Sequence, residues 1–295
     1  MIASTFRLGS DPSVDFVVRE LRLPTALTGL SVGLALGVAG LVFQKLLANP
    51  LASPDFVGVS SGASLFAVSG IVLFDVTSAG ISLAALGGAL TSAVLVYLLA
   101  WRDGISGYRF ILIGIGVSEF MLSIVGYIVA KAEINEAREA MTWLVGSVGQ
   151  AGTGELRALL VAVAVLVPVA LLLDRSLRTL ELGDDTARAL GARVETARLA
   201  LLGVAIVLVA FATAAAGPIM FVALMAGPIA VRLLGPASGG ILAAGLVGAV
   251  IVLSADLAAE HALPVSLPTG VLTGVIGAPY LIWLLVTTNR EGRGG

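Results

Sequence analysis

Residues 22–62 read RLPTALTGLSVGLALGVAGLVFQKLLANPLASPDFVGVSSG, a long apolar helix that runs into a proline-bracketed break and resumes as a second apolar helix. Pro50 and Pro54 mark the break, because a proline supplies no amide hydrogen and cannot continue a helix interior undisturbed. Backbone groups freed at membrane depth are tolerated only where protein or a water-filled cavity satisfies them. Pro50, Pro54 and Asp55 therefore favour a protein-lined pathway, although a plain turn between two helices would leave the same signature. Gly29, Gly33 and Gly37 recur every four residues and fall on one stripe of the first helix, which predicts close packing against a neighbouring backbone.

Working outward from this stretch, the rest of the 295 residues is of the same kind: 58% hydrophobic, 12% charged, with a mean hydropathy of +1.05. Such a chain has too little polar surface for a soluble globule, so it is read as a polytopic membrane protein. Crossing a hydrocarbon core of roughly 30 Å takes about 17–25 apolar residues. Stretches of that kind fall near 25–47, 56–74, 81–101, 108–130, 157–173, 199–216, 218–234, 241–259 and 269–287. The alternating ten-residue segments of a lipid-facing β-barrel are absent from the sequence. The expected fold is all-α, a transmembrane bundle of about nine to ten helices in a single domain over residues 1–295.

Net charge is -2, but the placement of Lys and Arg says more. If 102–109, 174–198 and the tail 288–295 share a side, that side holds Arg102, Arg109, Arg175, Arg178, Arg188, Arg193, Arg198, Arg290 and Arg293, with Lys45 and Arg232 close by. The other side holds Arg7, Arg19, Arg22, Lys131, Arg138 and Arg157 among Glu133, Glu136 and Glu139. The first side is therefore expected to be cytoplasmic and to carry the C-terminus. Residues 1–22 form an outer segment, too polar over 1–20 for a span or a signal peptide. There is no cysteine, which removes disulfides and thiol chemistry.

The two halves echo each other. NPLASPDFVGVSSGA (Asn49–Ala63) and AAAGPIMFVALMAGP (Ala214–Pro228) each follow a long helix, place a proline before a Phe-Val pair and continue into a small-residue helix. On the topology above, the first break faces inward and the second outward, which makes them inverted repeats; chance in a low-diversity apolar alphabet is the alternative. In the long inner loop, LELGDDTARALGARVETARLA (Leu180–Ala200) predicts a short helix capped by Asp184, with Asp185 in its first turn and Gly191 in the left-handed position that ends it. Ala187 and Leu190 would share its apolar face and Arg188 and Arg193 would project, giving either a knob for a partner or an amphipathic linker.

RLPTAL, NPLASPDFVGVSSGA, RFILIGIGVS, MTWLVGSVG, LELGDDTARALGA, AAGPIMFVAL and LPTGVLTGVIGAPYLIWLL, in this order from Arg22 to Arg290, resemble the FecCD-type permease subunits of ABC importers for iron chelates and vitamin B12. The resemblance implies the type II importer permease fold with two inverted pseudo-repeats, in the cytoplasmic (inner) membrane of a bacterium or archaeon. It also implies a second permease copy or similar chain, two cytoplasmic ATPase subunits and an extracytoplasmic binding protein. Gly183, Asp184, Ala187, Arg188 and Gly191 match the family's segment that seats in the ATPase. No GxxxxGK[ST] is present, so ATP would be hydrolysed on another chain and this one is not an enzyme. Arg22 matches the first arginine of the family's RLPR, an outer contact for the binding protein. Thr25 stands at the second arginine, and Glu260 stands at a usually basic position following Asp256. Relatives have a helix before the RLPR block that this sequence lacks, and Pro-His and Ile-Ala-Arg where it has Gly227, Pro228, Ile229, Ala230 and Val231. The ending LPTGVLTGVIGAPYLIWLL is closer to the siderophore branch than to vitamin B12 or haem carriers.

Glu119, in GIGVSEFMLS, is the ionisable residue set deepest in a span. An intramembrane carboxylate is expensive, so Glu119 faces the pathway, a partner or a hydrogen-bonded interior. His261 stands alone in the outer loop and cannot make a metal site; no metal, cofactor or nucleic-acid partner is expected. Trp101, Trp143 and Trp283 lie near span ends and read as interfacial anchors. An ion-coupled transporter would need more buried charges than Glu119, Asp75 and Asp256, and an intramembrane enzyme would need paired catalytic groups.

Overall fold

The computed structural model describes residues 16–101, 107–235, 240–262 and 264–291. Positions 1–15 of the expected outer segment, Arg102 and Arg293 lie outside them. The described chain is helical, with twelve α-helices in this order: α1 (Leu23–Leu46), α2 (Val59–Phe74), α3 (Ser78–Ala100), α4 (Gly107–Lys131), α5 (Ile134–Val145), α6 (Thr153–Leu172), α7 (Asp174–Leu180), α8 (Asp184–Ala189), α9 (Val194–Ala216), α10 (Val222–Leu234), α11 (Ile241–His261) and α12 (Thr269–Glu291). Seven helices are long and apolar enough to cross a membrane, while α2 and α10 are shorter apolar helices.

A helix occupies each of the nine expected stretches, but only seven are long enough to cross, and two of the expected bounds shift. The first helix starts earlier than residue 25, because a π-helical turn over Val17–Arg22 runs straight into α1. Arg19, Glu20 and Arg22 end the apolar pattern there without ending the helix. The short pair starts later than expected, at Val59 and Val222, because each follows a stretch of irregular chain.

α1 and α9 form the buried centre and α4 is the most exposed long helix. The glycine stripe of α1 lies against α11. A Cβ added at Gly33 would sit 2.4 Å from the Ala249 Cα, and one at Gly37 would sit 2.2 Å from the Ala244 carbonyl oxygen. Nothing larger than glycine leaves room for the two backbones at this distance.

α5 lies between the expected crossings at 108–130 and 157–173, where hydropathy predicts no span. Its capping box was legible: the Glu133 side chain accepts from the third-residue amide, and the Glu133 amide donates to Glu136 Oε2 at 3.2 Å. Trp143 on α5 is 8% exposed, so it is a packing residue and not an interfacial anchor; Trp101 and Trp283 are half exposed.

Candidate functional site

The first break is built around one carboxylate. Asn49 Oδ1 accepts the Leu51 amide at 2.9 Å, Ser53 caps the 3-10 turn Pro54–Val57, and Gly58 (φ 82) turns the chain into α2. Asp55 ties these pieces together, accepting the Ser53 hydroxyl at 3.0 Å on one oxygen and the Ser60 hydroxyl at 2.8 Å on the other. Pro54 is buried and Pro50 is exposed.

This turn packs against Ser118, twelve residues into the 25-residue α4, so the break lies about halfway along a membrane-length helix and not at its inner end. A cavity of about 480 Å³ opens there, lined by Asp55, Ser60, Ser61, Ser64, Ser118 and Glu119, with Pro218 and Met220 from the second break on the same wall. Residues of both irregular stretches thus face one cavity.

The second break, between α9 and α10, holds Phe221 at φ 68, a left-handed conformation that costs a bulky residue on the order of 1–3 kcal/mol. Further along α10, Pro228 cannot donate to the Leu224 carbonyl, and Gln44 of α1 does so instead at 3.0 Å. Gln44 is 7% exposed, and its amide oxygen fills the space beside Gly227. Gln44→Leu is expected to leave that carbonyl unsatisfied and lower stability by about 1–3 kcal/mol, read as a drop in thermal midpoint of the purified protein in detergent.

Several motif blocks of the sequence come together at the end of the bundle holding Arg22. Ser147 of MTWLVGSVG donates its amide to Ala216 of AAGPIMFVAL at 2.7 Å, and Gly270 of LPTGVLTGVIG donates to the Gly146 carbonyl at 3.0 Å. Thr269 Oγ1 accepts the Val148 amide and donates to Asp256 Oδ1 at 2.8 Å. Asp256 is thereby a brace between α11 and α12. Close to it, Arg22 and Glu260 form an ion pair across 238 residues, both side chains a little under half exposed. The two docking positions named separately from sequence are thus partners of each other. Exposed pairs of this kind contribute about 0–1 kcal/mol, so the pair sets surface charge more than stability.

At the opposite end of α1, about 35 Å away along the helix, Lys45 Nζ lies 2.7 Å from Glu181 Oε1, just before the short helix α8. The cap of α8 is Gly183 (φ 90), with Asp184 as the first helical residue rather than the cap: only a residue free to adopt positive φ brings the chain in at this angle. Gly191 has the expected positive φ of 83°. Ala187 is fully buried while Leu190 is 65% exposed, so the two do not share a packed face. Arg188 pairs with Asp185 at 3.1 Å, Arg193 is exposed, and Arg198 reaches across from α9 to Asp184 at 2.6 Å and Glu195 at 3.2 Å. In α7, Arg178 donates to Asp174 at 2.8 Å, and this bond, with the charge behind it, raises the guanidinium pKa further. The ties made by Gln44, Lys45 and Arg198 were not singled out from sequence; the proline four residues after Leu224 was the available signal for the first.

Broken helices around an internal cavity, with an exposed knob at one end and a braced platform at the other, define a polytopic membrane permease. The chain belongs to the FecCD transport family, whose model matches residues 1–287. It is 43% identical over 286 residues to the ferric enterobactin transport system permease protein FepG of Escherichia coli, covering 96% of this chain and 87% of that one. It is 39% identical to the achromobactin transport system permease protein CbrC of Dickeya dadantii (92% and 78% covered), and 35% identical to the cobalamin import system permease protein BtuC of Halobacterium salinarum (99% and 78%). Among solved structures it matches one described as an inward-facing conformation of a metal-chelate type ABC transporter, with a TM-score of 0.86, 26% identity and 97% and 96% of the two chains covered.

Proposed function

We propose that this chain is the membrane-spanning subunit of an ATP-driven importer in the cytoplasmic membrane, and that it translocates a ferric siderophore handed over by an extracytoplasmic binding protein. The carrying observation is the placement of α8 and the Arg22–Glu260 platform at opposite ends of α1, with the broken-helix cavity between them. Gly183, Asp184, Ala187, Arg188 and Gly191 then seat the knob in a cytoplasmic ATPase, and Arg22 and Glu260 face the binding protein. The C-terminus is cytoplasmic in this arrangement.

Glu119 supports a pathway role for α4. It is exposed halfway along the helix, and its carboxylate has no hydrogen-bond or ion-pair partner among the described residues. A carboxylate cannot be left in lipid at that depth, so water or a second permease chain covers this face. Phe120 and Tyr127, 67% and 66% exposed on the same helix, fit contact with that second chain. Siderophore cargo is favoured by the names of the relatives FepG and CbrC; vitamin B12 is the second reading, favoured by the BtuC relative. Copurification with candidate ATPase and binding proteins, then ATPase assays across ferric siderophores and cobalamin, tests both. Stimulation by one ferric chelate is expected. Stimulation by cobalamin alone would replace the cargo, and uptake driven by an ion gradient without ATP would overturn the class.

A further inference from the structure

We infer that the cavity beside Glu119 sorts cargo by charge, and that this permease passes iron chelates of zero or positive net charge in preference to polyanionic ones; the inference rests on the importer reading above. The lining of the cavity carries two carboxylates, Asp55 and Glu119, and hydroxyls from Ser60, Ser61, Ser64 and Ser118, with neither lysine nor arginine among its described residues. The two carboxylates are not equivalent. Both oxygens of Asp55 are occupied by Ser53 and Ser60, so Asp55 holds the break together, while the Glu119 carboxylate has no such partners. Ser118, next to it in sequence, is 8% exposed, and its hydroxyl has no hydrogen-bond partner. A buried hydroxyl left unsatisfied beside an unpaired acid is what a site looks like when its ligand supplies the missing bonds.

The chemistry of that ligand follows from its charge. Fe³⁺ bound by three hydroxamates, each carrying one negative charge, is neutral, and a pendant ammonium makes it a cation. Fe³⁺ bound by three catecholates, each carrying two, is a trianion. Repulsion scales with the product of charges and inversely with the local dielectric. A trianion therefore meets the largest barrier at a carboxylate placed at mid-membrane depth, whereas a neutral or cationic complex meets none. Hydroxamate carbonyl oxygens and an ammonium also give Ser118 an acceptor and Glu119 a donor.

The test uses the permease reconstituted with its ATPase and binding protein in liposomes. Three radio-iron probes are compared: a neutral trihydroxamate, the same chelate with a pendant ammonium, and a tris-catecholate. The readout is the ratio of ATP-driven uptake rates in wild type, Glu119→Gln and Glu119→Lys, so that the selectivity of the binding protein cancels. The ratio of trianion to neutral uptake is expected to rise about tenfold in Glu119→Lys and by less in Glu119→Gln, while the cation loses ground in both. If the lysine variant does not fold, the isosteric glutamine variant carries the comparison. Equal ratios in all three proteins, or a shift in the opposite sense, would overturn the charge filter. ATP-driven uptake of cobalamin but of none of the iron probes in wild type would overturn the siderophore cargo and the filter with it, and uptake of neither would overturn the importer reading as well.

Discussion

Gly37→Leu is expected to abolish recovery of monodisperse protein from detergent, and even Gly37→Ala is expected to lower its thermal midpoint by several degrees. A methyl group at this position would lie 2.2 Å from the Ala244 carbonyl oxygen and 3.0 Å from the Gly245 Cα. Those atoms belong to the backbone of a regular helix, which cannot rotate aside as a side chain could. The only relief is for α1 and α11 to separate, and α1 is also clamped by its contacts with α9 and α10. Overpacking typically costs 1–3 kcal/mol where side chains can shift, and a backbone collision belongs at or above the top of that range. In a membrane the loss is not recovered elsewhere, because close packing is itself a main driving force for helix association. Gly87→Ala is the control, since a Cβ there meets nothing within 4 Å and the change favours helix formation. Equal midpoints for Gly37→Ala and Gly87→Ala would show that the contact between α1 and α11 is looser than described.

The same glycines illustrate how far the sequence carries. Their four-residue spacing identifies a stripe for close approach, and hydropathy locates nine apolar helices, seven of them long enough to cross, because both signals are local and periodic. What hydropathy marks is where lipid can begin, which differs from where a helix begins. Arg19, Glu20 and Arg22 interrupt the apolar pattern while the helix continues through them, so α1 is longer than its apolar core. In the opposite sense, Phe56 and Val57 and the 218–221 stretch are apolar but lie in the breaks, so α2 and α10 are shorter than their apolar runs. Prolines show that a break exists without showing its depth. That depth emerges only when the Asp55 turn is set against the middle of α4, a contact between segments about 60 residues apart in the chain. Pairs such as Arg22 with Glu260 and Gln44 with Leu224 are further still from any local pattern, being joined across 238 and 180 residues. Arg22 and Glu260 each stand out as a charge near a helix end, but nothing in the chain between them says that they meet.

Arg198 gives the second large expected effect. Its guanidinium is only 13% exposed and donates to Asp184 at the start of α8 and to Glu195 in the first turn of α9. The Asp184 bond spans 14 residues and anchors the knob to a long buried helix, whereas the Arg188 pairs with Asp184 and Asp185 lie within one helical turn and are exposed. Local pairs of that kind contribute a few tenths of a kcal/mol, while loss of a mostly buried partner falls between the exposed and buried limits, at about 1–3 kcal/mol. The cost falls on a six-residue helix, so Arg198→Ala loosens the knob without unfolding the bundle. If the knob passes force from the ATPase, cargo-stimulated ATP hydrolysis and uptake are expected to fall about tenfold or more, with the thermal midpoint of the permease little changed. Arg198→Lys keeps the charge but loses the fork that reaches two carboxylates at once, and should retain only part of the coupling. Arg178→Ala removes an exposed pair within α7 and should leave coupling near the wild-type level. Indistinguishable ATPase stimulation in Arg198→Ala and Arg178→Ala would mean that the placement of the knob does not depend on this tie, and that the Lys45–Glu181 pair holds it alone.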